Sequence, residues 1–101
     1  MSKLHLIQTQ LDLNSFSKQY ARLATEKDSL LFLNDGILSL LSSEFNSSQF
    51  KRMTINCSIL VLDDQVEARA IDNDIDNLLV KKISYQEFVD YSLKSSKVIT
   101  W

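Results

Sequence analysis

Two residue types in this chain could carry nucleophilic or proton-transfer chemistry outright, and each occurs once: Cys57 and His5. Cys57 stands in "INCSIL" (55–60), at the mouth of an apolar run. A reactive thiol needs exposure and a lowered pKa, supplied by a helix N-terminus or a nearby cation. The pattern instead puts Cys57 at the amino end of a strand, while active sites of parallel α/β sheets lie beyond the carboxyl ends. Two readings stand: a structural thiol, which the placement favours, and a reactive one. His5 lies inside a strand-like run, and a general base needs a partner within hydrogen-bond reach. No neighbouring sequence signal supplies one, so a satisfied structural histidine is expected. One His and one Cys, far apart, do not make a metal site, so no metal and no cofactor are expected. The acidic residues Asp63, Asp64, Glu67, Asp72, Asp74 and Asp76, set against Arg69, read as a solvated face or as a docking face for a basic partner.

The elements that must position these residues alternate along the chain. Lys3 to Thr9, Ser29 to Asn34, Ser58 to Asp64, Leu78 to Ser84 and Val98 to Thr100 read as strands. The second and third are continuously apolar, as strands covered on both faces are. Phe16, Tyr20, Leu23 and Ala24 mark one face of a first helix, with Asn14 or Ser15 as cap. Ile37, Leu38 and Leu41 suit a short second helix that Asp35 could cap. Asp64 and Glu67 resemble a capping box for a third helix through Ala70, and Ser84 with Glu87 forms a better one for a fourth, carrying Tyr85, Phe88, Val89 and Leu93. Residues 41–52 read as a loop with part of a helix, pinned by Phe45 and Phe50. Strand-helix alternation implies a doubly wound α/β domain, one unit over 1–101.

Composition closes off other classes. The chain is 45% apolar, enough for one modest core. It has no proline, and Gly36 is its only glycine, so phosphate-cradling glycine loops are excluded. "QTQLDLN" after the first strand has neither the glycines of a dinucleotide site nor the acidic pair of a phospho-receiver. A net charge of −2 without a basic cluster argues against direct nucleic-acid binding. A single cysteine suits a reducing compartment, and the apolar start is too short for a leader or membrane span. A cytoplasmic location is therefore expected.

Taken together, "LHLI" (4–7), "DSLLFLNDGI" (28–37), "LDDQVEARAI" (62–71) and "ISYQEFVDYSLKSSKVITW" (83–101) resemble the TusB/DsrH family of sulfur-relay proteins. The matching residues are Leu4 and His5, Asp35 and Gly36, Ala68 and Arg69, Tyr85, Phe88 and Val89, and Trp101. No single piece is specific, but their order and spacing span the chain. The resemblance implies a DsrE-like fold with a mostly parallel five-stranded sheet and helices on both faces. It implies a non-catalytic subunit in a heterohexamer with TusC-like and TusD-like subunits. That assembly would take persulfide sulfur from a TusA-like donor and pass it through a TusE-like acceptor. The destination would be 2-thiolation of the tRNA wobble uridine in the 5-methylaminomethyl-2-thiouridine pathway. Some relatives carry a cysteine in the first helix, where this chain has Tyr20, and Cys57 is outside that register. The thiolate is therefore expected on a TusD-like partner, with Asp35, Gly36, Arg69 and Trp101 as interface residues. Three alternatives stay open: a sulfurtransferase using Cys57 as persulfide carrier, a DsrH-type subunit in sulfur oxidation, and a stand-alone regulatory domain.

Overall fold

The structure, a computed structural model, describes residues 3–20, 28–76 and 78–101. Five strands form one sheet: β1 (Lys3–Ile7), β2 (Ser29–Phe32), β3 (Ser58–Leu62), β4 (Lys81–Ile83) and β5 (Lys97–Thr100). Their spatial order is β4-β3-β2-β1-β5, and all four pairings are parallel. The helices are α1 (Leu13–Tyr20), α2 (Ser48–Met53), α3 (Asp63–Ala68), α4 (Asp72–Asp76) and α5 (Tyr85–Lys94). Leu23 and Ala24, assigned from periodicity to the first helix, lie outside the described residues.

Strand order decides which face each helix covers. The chain steps from β1 to β2, β3 and β4 in one direction, then returns past all of them to β5. Right-handed crossovers therefore place the first three connections on one face and α5 on the other. The core agrees. Ile7, Leu30, Phe32 and Val61 pack with Leu13, Phe16, Tyr20, Phe50, Val66 and Ile75, while Leu4, Leu31, Leu60 and Ile83 pack towards Phe88 and Tyr91 of α5. Helices thus cover both faces unevenly. The continuous apolar runs of β2 and β3 follow from period-two alternation between two buried faces.

Local signals explain the boundaries. Ser84 caps α5 in full: its hydroxyl accepts the Glu87 N–H and the Glu87 carboxyl accepts the Ser84 N–H. Two expected caps differ. Asp12, not Asn14 or Ser15, caps α1, because its carboxyl accepts the N–H groups of both. The residue before α3 is Leu62, so the Asp64–Glu67 box does not form; Asp63 and Asp64 sit in the first turn, where the helix dipole favours them. The expected second helix is a 3₁₀ run, Asn34–Leu41, with Asp35 inside its first turn. Three-residue spacing puts Ile37 and Leu40 in the core, and Leu41, expected inside, is 41% exposed. The connector 41–52 holds a second 3₁₀ turn and α2, with Phe45 and Phe50 buried as anchors.

Ala70 follows α3 with φ of 55°, a left-handed conformation that glycine adopts at lower energy than alanine. Its N–H closes the helix end on the Glu67 carbonyl. Ala70→Gly is therefore expected to raise stability by about 1 kcal/mol, read as a higher urea midpoint at unchanged slope.

Candidate functional site

Alternation along the strands brings the chemically capable residues onto one face. His5 shares the parity of Ile7, and Asp28 that of Leu30. Cys57 shares the parity of Ile59, so all three residues point to the α1 side, where Tyr20 ends its helix. There they form a continuous chain of polar contacts inside the core. The imidazole Nε2 lies 2.9 Å from Asp28 Oδ2, and both side chains are fully buried. The Tyr20 hydroxyl lies 3.4 Å from the same oxygen and 2.9 Å from Cys57 Sγ. The Lys3 N–H donates to Asp28 Oδ1 at 3.1 Å, and the Trp101 indole N–H donates to His5 Nδ1 at 3.0 Å.

The donors set the protonation pattern. An indole N–H can only donate, so Nδ1 accepts and the neutral imidazole carries its hydrogen on Nε2, aimed at Asp28. The thiol can then donate to the Tyr20 oxygen while the Tyr20 hydroxyl donates to Asp28. Burial drives the titrations. It lowers the His5 pKa, outweighing the opposing pull of Asp28. It raises Tyr20, with Cys57 adding to the effect, and it raises Cys57 against the favourable Tyr20 contact. All three groups are thereby held in their neutral forms near pH 7.

A pH dependence follows. With a folded pKa below 6.5, His5 takes its proton more readily in the unfolded chain. Its contribution to stability is whole above pH 6.5 and is lost as pH falls from there through the lower folded value. Urea unfolding at stepped pH should show this loss, and His5→Gln should flatten the curve over that window.

Cys57 sits immediately before β3, at the amino edge of the sheet, and is half-buried. It lines a largely apolar cavity of about 420 Å³ with Phe45, Phe50, Ile55, Ile59 and Leu79. Among the described residues Lys51 is the one charged side chain that lines the cavity.

The other candidate residues lie towards the carboxyl edge. Gly36 is buried under the end of β1: a Cβ added there would stand 1.9 Å from the Ile7 carbonyl oxygen. This close approach, not an unusual φ, is why glycine occupies the position. Arg69 Nη2 donates to Asp35 Oδ1 at 3.1 Å, a partly exposed intramolecular pair. Beside it Asn34, with φ of 54°, is held by a reciprocal amide contact with Gln65. Trp101 is half-buried, its ring 4.7 Å from Phe16 and its backbone N–H donating to the Leu6 carbonyl. The structure therefore joins Asp35 to Arg69, seats Gly36 beneath Ile7, and draws Trp101 and Cys57 to opposite ends of the His5–Asp28–Tyr20 chain. In the acidic segment, Asp76 pairs with Lys82 at 2.8 Å. Among the described residues no group of three or more His, Cys, Asp or Glu could hold a metal ion, and no helix is long and apolar enough to cross a membrane.

Sequence reasoning did not find Asp28. A signal existed: Asp28 stands two residues before the apolar run Leu30–Leu33, and its parity places it on the His5 side of a parallel neighbour.

Comparison with known proteins places this geometry. A solved structure, that of the ychN protein from E. coli, superposes with a TM-score of 0.65 and covers all of both chains, at 14% identity. It supports the DsrE-like α/β fold. Protein TusB of Yersinia enterocolitica is 36% identical over 81 residues, 79% of this chain and 81% of that one. Protein TusB of Yersinia pestis is 36% identical over 83 residues, with the same coverage. The model of the DsrH-like protein family matches residues 13–98, and with these relatives it shows that the chain belongs to the TusB/DsrH family.

Proposed function

We propose that this chain, acting as one domain over residues 1–101, is the TusB-like structural subunit of a sulfur-relay complex. Its partners are TusC-like and TusD-like subunits in a cytoplasmic heterohexamer. That assembly accepts persulfide sulfur from a TusA-like donor and hands it to a TusE-like acceptor for 2-thiolation of the tRNA wobble uridine. The chain makes no direct contact with the nucleic acid.

The observation that carries this reading is the state of Cys57. Sulfur relay needs a thiolate, and such cysteines sit in electropositive surroundings that lower their pKa. Here burial and the Asp28 charge push the thiol pKa up, and its sulfur contacts the Tyr20 hydroxyl at 2.9 Å. The nucleophile is assigned to a partner, and this chain supplies shape. The exposed Asp35 of the Asp35–Arg69 pair and the ring of Trp101 contribute to the subunit boundary, while Gly36 shapes the turn that presents Asp35.

A tagged chain expressed with its genomic neighbours should co-purify with two related DsrE-fold subunits. A strain lacking it should lose wobble 2-thiouridine, measured by mass spectrometry of digested tRNA. A monomeric chain that ignores both subunits would refute the reading. Normal tRNA thiolation combined with a defect in sulfur oxidation would move the chain to the DsrH-type role.

A further inference from the structure

The contact between Trp101 and His5 holds only one protonation state. Nε2 is engaged with Asp28 and Nδ1 accepts the indole N–H, so an added proton must go to Nδ1. That nitrogen then becomes a donor facing a donor across 3.0 Å. Among the described residues, Asp28 from the segment before β2 and Tyr20 from α1 also face the imidazole. Cys57 reaches it through Tyr20, and Lys3 lies two residues away on its own strand, its charge opposing protonation. None of these accepts a hydrogen from Nδ1.

The element tied down by this contact is lightly held elsewhere. β5 is an edge strand whose side chains are exposed, apart from half-buried Ile99. The helix leading into it, α5, has no fully buried residue, and Leu93 near its end is 79% exposed. Among the described residues it is attached through the ladder to β1, the Trp101 backbone N–H on the Leu6 carbonyl, the indole ring against Phe16, and the His5 contact. Segments with few buried contacts open at lower free energy than the core around them.

We propose that His5 is a proton-operated latch on residues 97–101. With Nδ1 unprotonated it grips the Trp101 indole and β5 stays docked against β1; a proton on Nδ1 expels the indole and frees the strand from the sheet edge. The released edge of β1 and the vacated seat beside Phe16 would then open on the α1 side of the fold. Because burial disfavours the imidazolium, the latch is closed near neutrality and answers to acidification below pH 6.5.

The test is amide hydrogen exchange on the full chain at about pH 7.5 and about pH 5.5, corrected for the intrinsic rate at each pH. Protection in 97–101 should fall about tenfold more than protection in β2 on acidification. Trp101→Phe keeps the ring but lacks the N–H donor, so it should abolish this difference while leaving the fold intact. His5→Gln, which cannot titrate, should do the same. Equal losses in β2 and β5 would overturn the proposal, as would a difference that survives in Trp101→Phe. The phenylalanine variant decides the matter even where the glutamine variant does not fold.

Discussion

Gly36→Ala is expected to destabilise the chain by about 3 kcal/mol or more. The added methyl would stand 1.9 Å from the Ile7 carbonyl oxygen and 2.7 Å from its carbon. Both obstacles are backbone, and that backbone is part of the sheet, because the same carbonyl accepts the Leu33 N–H at 3.0 Å. No rotamer can move them aside. Relief requires lifting the 3₁₀ run off β1, and with it Ile37 and Leu40, which are buried beneath it. Better helix propensity works the other way but is worth at most about 1 kcal/mol. For a chain of this size, whose whole stability is about 5–15 kcal/mol, the loss is a large fraction. Urea denaturation followed by circular dichroism measures it. A midpoint within error of the parent would show that the turn does not rest on Ile7.

Asp28→Ala is expected to cost about 3–5 kcal/mol. The carboxyl accepts from the His5 imidazole, the Tyr20 hydroxyl and the Lys3 N–H, and it is completely buried. Removing it leaves buried donors without acceptors and a gap among Tyr20, His5 and Leu30. Asp28→Asn keeps the volume and one acceptor oxygen, so its cost should be smaller, about 1–3 kcal/mol. That order, alanine worse than asparagine, separates the polar network from packing volume. Equal stability of both variants and the parent would mean that the network does not hold the amino edge together.

The fold was readable because its signals were redundant. The four-residue apolar runs Leu30–Leu33 and Ile59–Leu62 are short enough to read as strands between two covered faces, and Ser84 with Glu87 announced α5 without tertiary help. What failed was local chemistry decided by distant contacts. Asp35 looks like a cap but lies inside a 3₁₀ turn, because Gly36 must lie against Ile7 and Asp35 is drawn to Arg69. α4, built on "DNDID", carries no amphipathic signal beyond Ile75, and only burial of that one side chain marks it. The polar chain at the centre was half legible. His5 and Cys57 stood out as single residues, but the Asp28 and Tyr20 that they contact are 23 and 37 positions away respectively. Only the parallel register of β1, β2 and β3 brings them together.

A structural role for this chain requires Cys57 to be a spectator during sulfur transfer. The direct measurement is intact-protein and peptide mass spectrometry of the assembled complex, quenched after exposure to a persulfide-loaded donor. The expected result is sulfur on a cysteine of a partner subunit, none on Cys57, and undiminished transfer in Cys57→Ser. A persulfide trapped on Cys57, with transfer abolished by that substitution, would contradict it.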